Sequence, residues 1–483
     1  MSSLDINRYS QRLVKLFWDP EPKNDTTIDS TIWCLGVKYD IAGRAGTGNS
    51  EPAPPVILTP PAEITKAPQR RPPVETQESY VTVERPQDVP SNTNGISLSS
   101  SSPPASERTP SGNPASSEGW PSAFLNDFES RIWLTYRSNF PPIPKSADPS
   151  ATSGMSLGLR LKSQFSGPTG FTSDSGWGCM IRSGQSILAN TLALLYFGRD
   201  WRLPEVASTT ADEVSTDTEL EEKRLISLFA DHPSAPFSIH NFVAHGATAC
   251  GTHPGQWFGP SATAACIQAL ASAHVESNLR VYVTGDGPNI YCDALLKVAR
   301  RGGDTFLPTL LLVGTRLGID RITPVYRDAL AASLKMPQSV GIAGGRPSSS
   351  HYFVGVQDTT SFFYLDPHTT RPALVHHEDP AQYTSADIAT CHTRRLRRCG
   401  VEEMDPSMLI AFLFKTEQEW DDWRRTVAEA PGKAIFHVLE GEGEQGEQRS
   451  GEPSGCGERA SAIDEVETFD DEDEDDARSE ELL

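Results

Sequence analysis

Cys179, Asp366 and His368 are the residues of this sequence whose types and spacing favour nucleophilic chemistry. A cysteine at the start of a helix ionises more readily than usual, because unpaired backbone N–H groups and the helix dipole favour the thiolate. A histidine accepts the thiol proton near neutral pH, and an aspartate orients and stabilises the imidazolium that results. The three side chains together predict a nucleophile, its base and the group that orients the base.

Cys179 is expected at the first turn of a helix. The residues Cys179–Gly198 are mostly apolar and end in glycine, which predicts a buried helix closed by Gly198. Gly176 and Gly178 permit a tight turn and a close backbone approach directly before the cysteine. The N–H groups of the first turn also help to hold an oxyanion. A small structural cysteine, buried at a helix start, is the simpler interpretation of this segment.

Asp366 and His368 are expected at the end of a strand. The apolar run Phe362–Leu365 predicts the strand, and residues i and i+2 at its end point to the same side. Both side chains are therefore expected to face one cleft, with Pro367 stiffening the step between them. A surface turn is the simpler interpretation of this segment alone. The conjunction of the two segments carries the prediction of a catalytic site.

Helix and strand patterns alternate along the folded parts of the chain. A second helix is predicted over Pro260–Ser277, with its proline in the first turn. Further strands are predicted over Leu279–Gly285, Thr305–Gly318, His351–Gln357 and Ser361–His368. The last two flank a hairpin turn at Asp358–Ser361. This alternation predicts an α/β (α+β) domain with a central sheet.

The composition divides the 483 residues into folded and polar stretches. One discontinuous core is predicted over 1–40 and 119–440. Residues 41–118, rich in proline and serine, predict a disordered insertion, and 203–222 predict a shorter polar insertion loop. The acidic residues 441–483 predict a disordered tail, because like charges repel one another.

Charge, hydropathy and cysteine spacing disfavour several classes of protein. The net charge of −22 disfavours nucleic-acid binding, because phosphates require a positive field. No apolar run approaches the roughly 20 residues of a spanning helix, and the first residues lack the apolar core of a secretory signal. The eight scattered cysteines are therefore expected to be free thiols in a reducing cytosol.

Several segments of the chain resemble the autophagins, the cysteine endopeptidases of autophagy that process a ubiquitin-like modifier. The central motifs are SDSGWGCMIRSGQ at Ser173–Gln185, GQWFGPSAT at Gly255–Thr263, GGRPSSSHYFVGVQ at Gly344–Gln357 and YLDPHTT at Tyr364–Thr370. Segments at Phe17–Asp25, Ile32–Asp40, Arg131–Ile143 and Cys391–Trp423 match as well. The resemblance covers about 1–40 and 119–440, and so many motifs in the family's order exclude chance.

The resemblance implies a papain-like cysteine protease fold with a small extra subdomain, and a role for each matching residue. Cys179 matches the nucleophile, His368 the base and Asp366 the residue that orients it. Tyr136, in RIWLTYRSNF, matches a tyrosine that aids the oxyanion hole, although it lies further from the cysteine in sequence than the family's spacing. The resemblance implies neither a cofactor nor a metal.

Two further residues match the family at the entrance to the active site. Trp257 corresponds to an aromatic residue that walls a narrow entrance, and Pro347 to a mobile segment that covers the free enzyme and lifts for the substrate. A tryptophan and a loop packed close together select glycine by exclusion, since a β-carbon blocks the slot between them. Trp257 alone also fits an ordinary core tryptophan.

The resemblance also implies substrates and a cellular setting. The family cleaves after a glycine near the carboxy terminus of the modifier, and later cleaves the amide that joins this glycine to phosphatidylethanolamine. We therefore expect a cytoplasmic monomer, with the nucleus as an additional location and transient contact with pre-autophagosomal membranes. Two alternatives stay open: a protease for another ubiquitin-like tag, and a non-catalytic scaffold that binds the modifier.

Other residues offer competing sites. A zinc site is disfavoured, because no CxxC pair or regular ligand spacing accompanies the candidate ligands His376, His377, Cys391, His392 and Cys399. A regulatory disulfide between Cys391 and Cys399 is an alternative to two reduced thiols. Phe436–Leu439 and Tyr80–Val83 have an aromatic-x-x-aliphatic pattern beside acidic residues, which predicts strands that pair with the modifier outside the active site.

Overall fold

The structure is a computed structural model that describes residues 21–24, 31–40, 119–152, 154–155, 160, 170–204, 215–285, 287–346 and 349–441. The predicted insertion 41–118 and the chain beyond residue 441 therefore lie outside the described residues. The segment Tyr80–Val83 and the entrance residue Pro347 lie outside them as well.

Helices and strands alternate through the described chain, as the sequence predicts. The helices are α1 Ser122–Glu129, α2 Cys179–Tyr196, α3 Ser215–Ser227, α4 Ile239–His245, α5 Pro260–Ala273, α6 Cys292–Ala299, α7 Arg327–Lys335, α8 Ser385–Ala389 and α9 Glu417–Ala428. The strands are β1 Ile32–Cys34, β2 Val37–Tyr39, β3 Arg137–Ile143, β4 Phe171–Ser173, β5 Arg280–Val283, β6 Asn289–Tyr291, β7 Thr309–Arg316, β8 Ser339–Arg346, β9 Ser349–Gln357, β10 Ser361–Leu365, β11 Arg371–Pro372, β12 Arg398–Gly400, β13 Ser407–Phe414 and β14 His437–Leu439.

A mixed central sheet carries the fold. Its strands follow one another in the order β12-β10-β9-β8-β13-β7-β5, and β1 pairs with the end of β9 that β8 does not reach. The strands pair antiparallel, except that β5 lies parallel to β7. Asp358 at the β9–β10 turn has a φ of +56°, a left-handed conformation that aspartate tolerates. The predicted α/β (α+β) fold class is confirmed.

Helix α2 lies against this sheet with nearly its whole surface covered. It packs on β8, β9 and α5, and every residue from Cys179 to Leu194 is buried. The helix ends as predicted, because Gly198 follows it with a φ of +83° that a residue with a β-carbon rarely adopts. A helix buried on all sides is held rigidly, since each displacement disturbs close-packed neighbours.

A small second sheet joins the segments that carry the predicted site residues. Strand β3 lies between β4 and β11, antiparallel to the first and parallel to the second. Strand β3 begins directly after Tyr136, β4 ends shortly before Cys179, and β11 begins shortly after His368. Three segments that are distant in sequence therefore meet through backbone hydrogen bonds.

Two predicted boundaries differ from the structure. Residues 203–222 were expected as a polar loop, but the helix α3 occupies Ser215–Ser227; the residues between 204 and 215 lie outside the described ranges. One buried position of this helix is a charged residue: Glu222 lies 3.0 Å from the imidazole of His392. The helix predicted over Pro260–Ser277 ends at Ala273, and a short 3₁₀ turn follows it.

The segment Phe436–Leu439, predicted to bind a partner, instead packs on the protein itself. The ring of Phe436 is 5% exposed and lies against Trp423 and Phe412, with ring centroids 5.8 and 5.3 Å away. Strand β14 pairs in parallel with β6. In this structure Phe436 belongs to the hydrophobic core, so its ring is not available to a partner.

None of the helices that the structure describes is long and apolar enough to cross a bilayer.

Substitution Phe436→Ala tests the packing of Phe436 against Trp423 and Phe412. Removing the buried ring is expected to lower the free energy of unfolding by about 3–5 kcal/mol, because the transfer free energy is lost and a cavity remains. The measurement is the shift of the urea unfolding midpoint, with the slope monitored for a change in mechanism. Leu439→Ala is the matched control, since Leu439 is 40% exposed and should change stability by less than about 1 kcal/mol. Equal shifts for both variants would place Phe436 outside the core.

Candidate active site

The turn before α2 presents Cys179 at the first position of the helix. Gly176 has a φ of +92°, and the carbonyl of Asp174 accepts hydrogen bonds from the N–H groups of Trp177 and Gly178. A β-carbon on Gly178 would lie 2.5 Å from a carboxylate oxygen of Asp174, so the close approach requires glycine. The sequence prediction of a tight turn that delivers the cysteine to a helix start is confirmed.

A buried ion-pair network holds this turn. The carboxylate of Asp174 accepts from the backbone N–H of Arg137 at 2.6 Å and from Nε of Arg182 at 2.7 Å. The guanidinium of Arg182 also lies 2.8 Å from the carboxylate of Asp231, which accepts from the N–H of Leu374. All three charged side chains are nearly inaccessible to water, so each depends on the others for compensation. The network ties the cysteine turn to strand β3.

Two hydrogen bonds fix the backbone that carries Asp366 and His368. The indole N–H of Trp133 donates to the carbonyl of Asp366 at 2.7 Å, and the N–H of Tyr136 donates to the carbonyl of Pro367 at 2.8 Å. One carboxylate oxygen of Asp366 then lies 2.5 Å from Nδ1 of His368 and accepts the N–H of that residue at 3.0 Å. The two side chains therefore face one side, as their i, i+2 spacing predicts.

The imidazole of His368 connects this pair to the cysteine. The His368 side chain lies close enough to Cys179 to lower the pKa of its thiol, and because Asp366 occupies Nδ1, the nitrogen that can reach the sulfur is Nε2. The hydroxyl of Ser349 lies 3.1 Å from the same Nε2. The structure thus brings all three residues of the predicted triad together in one cluster.

Tyr136 completes the cluster. Its phenol lies beside Cys179, and its ring meets the imidazole of His368 edge to face at 5.3 Å. Burial, with further contributions from the Cys179 charge, raises the pKa of the phenol far above its ordinary value. Tyr136 therefore remains a hydrogen-bond donor at every physiological pH.

The pKa of Cys179 is decided by two opposing effects. Burial raises it, since the side chain is 1% exposed, but the hydrogen bond and charge of His368 lower it, aided by the backbone of Ser350 and by Tyr136. The net direction is downward, towards the thiolate. The sulfur is thus enclosed by polar groups, which compensate its charge, instead of by hydrocarbon.

The partners of the thiol shift in the complementary direction. Burial lowers the pKa of His368, but the hydrogen bonds of Asp366 and Cys179 outweigh it and raise the pKa to about 9. Burial raises the pKa of Asp366, and the hydrogen bond of His368 with the charge of His351 brings it well below its usual range. At neutral pH the cluster therefore holds an ionised carboxylate and an imidazolium, and both the hydrogen-bonding and the charge of the imidazolium favour the thiolate form of Cys179. Such a cluster can attack a carbonyl carbon and return a proton to a leaving amine.

Two further residues, Trp257 and Pro347, were predicted to lie at the entrance to this cluster. Trp257 is 39% exposed on the loop before α5, so its place at the entrance stays a prediction. Pro347 stays a prediction as well, since it is outside the described residues. No distance in the structure tests the glycine slot that the two residues were predicted to form.

The proposed zinc ligands do not come together among the described residues. His392 pairs with Glu222, while His376 stacks on His232 and His377 packs against Tyr383. Cys391 and Cys399 are reduced and buried, so the regulatory disulfide is not formed in this structure.

Sequence reasoning missed several residues of the site. Trp133 and Arg182 act through contacts with residues far away in the chain, which no local pattern reveals. Ser349 and His351 lie at alternate positions of β9 and therefore on one face of it. Polar residues at alternate positions of an otherwise apolar strand were the available signal. His351 lies 3.8 Å from the carboxylate of Asp366.

Comparison with known proteins places the chain among peptidases. The family described as the peptidase C54 catalytic domain matches residues 121–426. A probable cysteine protease atg4 of Sclerotinia sclerotiorum is 53% identical over 98% of this chain and 99% of its own length. A probable cysteine protease atg4 of Botryotinia fuckeliana is 54% identical, again over 98% and 99% of the two chains. A cysteine protease ATG4 of Pyricularia oryzae is 48% identical over 98% and 97%.

The charge state of Cys179 is open to direct measurement through ultraviolet thiolate absorbance. The difference spectrum between the unaltered protein and Cys179→Ala should show one thiolate at neutral pH, below the ordinary thiol pKa of about 8.5. His368→Ala should remove that absorbance at neutral pH and shift its onset above the ordinary value, because burial then acts without a compensating cation.

Other cysteines should add little to this signal. Burial raises the pKa of Cys34, Cys292 and Cys391, and the neighbouring thiol of Cys250, together with burial, raises that of Cys266. Unchanged absorbance in the His368→Ala protein would contradict the thiolate–imidazolium pair.

Proposed function

The chain belongs to the peptidase C54 family and is a cysteine-type peptidase, and from this premise we propose that it is the endopeptidase of autophagy that cleaves a ubiquitin-like modifier after its carboxy-terminal glycine. The observation that carries the proposal is the cluster in which Asp366 is hydrogen-bonded to His368 and His368 lies beside Cys179 and lowers the pKa of its thiol. It supplies the nucleophile, the base and the orienting carboxylate that hydrolysis through an acyl-enzyme requires.

In the proposed reaction the thiolate of Cys179 attacks the glycine carbonyl. The negative charge then moves to the carbonyl oxygen, where the hydroxyl of Tyr136 and the first N–H groups of α2 are placed to donate hydrogen bonds. The imidazolium of His368 gives its proton to the leaving nitrogen, and the C–N bond breaks. Water then attacks the thioester while His368 accepts a proton from it, which releases the carboxylate and restores the thiolate.

Selectivity for glycine is supported by the seclusion of the sulfur. Because Cys179 is 1% exposed, a substrate reaches it only as a slender chain, and glycine is the one residue with no side chain to obstruct the approach. We propose that Trp257, half exposed on its loop, and the segment around Pro347 form the two sides of this passage. The exclusion of a β-carbon then contributes specificity without any attractive contact to the residue.

The same chemistry extends to the lipid-conjugated modifier. An amide between glycine and the amine of phosphatidylethanolamine has the same acyl group as the precursor and differs in the leaving amine. We therefore propose both maturation of the precursor and delipidation of the conjugate, the latter with transient contact at a membrane surface. We further propose that the enzyme acts as a cytoplasmic monomer, with the nucleus as an additional location.

Substitution of the triad tests the catalytic roles. Cys179→Ala and His368→Ala should abolish cleavage of a modifier precursor extended beyond its glycine, and Asp366→Ala should lower kcat by about 10³–10⁴ through misorientation of the imidazole. The readout is product formation on gels, with binding of the uncleaved precursor measured in parallel. Retained binding by Cys179→Ala separates loss of chemistry from loss of fold.

The choice of substrates separates the proposed function from its alternatives. Cleavage of other ubiquitin-like precursors at an equal rate would contradict specificity for the autophagy modifier and favour a protease for another tag. Binding of the modifier without any cleavage by the unaltered chain would indicate a scaffold. A precursor with alanine in place of the glycine is the matched control for the slot, and it should not be cleaved.

Tyr136→Phe isolates the contribution of a single hydroxyl. The ring and its contact with His368 remain, so folding should be preserved, while kcat should fall by about 10²–10³ if the hydroxyl donates to the oxyanion. KM for the precursor should change much less, because the contact forms in the transition state. A change confined to KM would assign Tyr136 to substrate binding instead.

A further inference from the structure

The catalytic imidazole of His368 lies near a second histidine, His351. His351, Asp366 and His368 each offer one possible ligand atom, and these three atoms lie within 4.8 Å of one another. The carboxylate oxygen is 3.8 Å from His351 Nε2 and 2.5 Å from His368 Nδ1. This three-atom cluster lies on the Nδ1 side of the His368 ring, opposite the nitrogen that faces Cys179.

The donor set fits a transition-metal ion. Two imidazole nitrogens and one carboxylate oxygen form a set common in zinc sites, where a water completes the tetrahedron. Ligands about 2.0–2.2 Å from a tetrahedral zinc ion lie about 3.3–3.6 Å from one another. The observed separations of 2.5 and 3.8 Å fall on either side of this spacing, so modest side-chain rotations suffice.

His351 is held in position before any metal arrives. Its ring meets that of Tyr364 at 4.5 Å, and a β-carbon at Gly345 would lie 2.9 Å from its Nδ1. The side chain is 9% exposed, whereas those of Asp366 and His368 are 30% and 28% exposed. The cluster therefore combines a fixed ligand with two ligands that solvent reaches. Preorganised ligands lose little conformational entropy on binding, which favours affinity.

We propose that His351, Asp366 and His368 form an inhibitory binding site for a zinc-like divalent cation. Binding replaces the proton on Nδ1 of His368 by the metal and releases that proton to solvent. The Asp366–His368 hydrogen bond is lost, and the coordinated imidazole no longer acts as the neutral-to-cationic shuttle for Cys179. The binding site itself is independent of the reaction, while its inhibitory consequence rests on the proposed function.

A site at the thiol is the principal competitor. A zinc ion also binds thiolates, and Cys179 with Nε2 of His368 offers one sulfur and one nitrogen. That alternative uses the opposite nitrogen of the imidazole and a sulfur that is 1% exposed. The proposed site requires His351 and not Cys179, whereas the thiol site requires Cys179 and not His351.

Zinc binding to the full-length Cys179→Ala protein tests the proposal without any activity. After removal of adventitious metal, titration of Zn²⁺ in competition with a chromophoric chelator should show a site that survives this substitution. Adding His351→Gln should weaken that site by more than about 10-fold, since one of three protein ligands is lost. His376→Gln is the matched control, because His376 is a partly buried histidine of a different cluster. Loss of the site in Cys179→Ala, or equal affinity with and without His351, would overturn the proposal.

Cobalt provides a readout that needs no variant. Co²⁺ bound to thiolate gives an intense charge-transfer band, whereas nitrogen and oxygen ligands give only weak visible bands. The unaltered protein should show the weak bands alone, and a thiolate band on binding would assign the metal to Cys179. In the active enzyme, Zn²⁺ should inhibit cleavage reversibly on addition of a chelator. For each protein, inhibition is expressed relative to its own metal-free rate. His351→Gln should then raise the inhibitory Zn²⁺ concentration more than about 10-fold, and an unchanged concentration would contradict the site.

Discussion

The ionised pair of Asp366 and His368 is the interaction on which the active site depends. The carboxylate fixes the imidazole by its ring nitrogen and by the backbone N–H of the same residue, so a single oxygen sets both position and protonation. The imidazolium then compensates the burial of the Cys179 thiolate, which would otherwise remain a neutral thiol. Protonation of the Asp366 carboxylate would therefore raise the pKa of the Cys179 thiol, which lies two side chains away.

The scaffold keeps this pair and the cysteine in register through backbone contacts. Tyr136 donates its N–H to the carbonyl of Pro367, and the next residue in the chain donates its N–H to Asp174 beside the cysteine turn. The start of strand β3 thus bridges both halves of the site. The buried charges of Asp174 and Arg182 make that bridge costly to break, because either residue alone would be an uncompensated charge.

Features encoded in neighbouring residues could be predicted from the sequence. The start of α2 at Cys179 follows from its glycines, and the shared direction of Asp366 and His368 follows from the period of a strand. The contact of Tyr136 with the cysteine came from family resemblance, since no local pattern joins residues so far apart. His351 and Arg182 were missed, because their partners are specified only by the tertiary fold.

The polarity of a segment misled prediction where a charged residue is buried with a partner. Residues 215–222 were expected in a polar loop, but they belong to α3, where Glu222 is buried 3.0 Å from His392. The acidic surroundings of Phe436 suggested an accessible motif, although the ring fills a core position. In both cases the polarity of the segment was recognised, but the burial of one side chain, Glu222 or Phe436, was not predicted.

The position of β13 in the central sheet has a consequence for biosynthesis. This strand separates β7 from β8, although it comes from Ser407–Phe414, close to the end of the described chain. Until the ribosome has released these residues, β7 and β8 each expose an unpaired edge of backbone donors and acceptors. A nascent chain that already contains the complete triad therefore cannot close its sheet, and during that interval it depends on chaperones or on rapid completion to avoid aggregation.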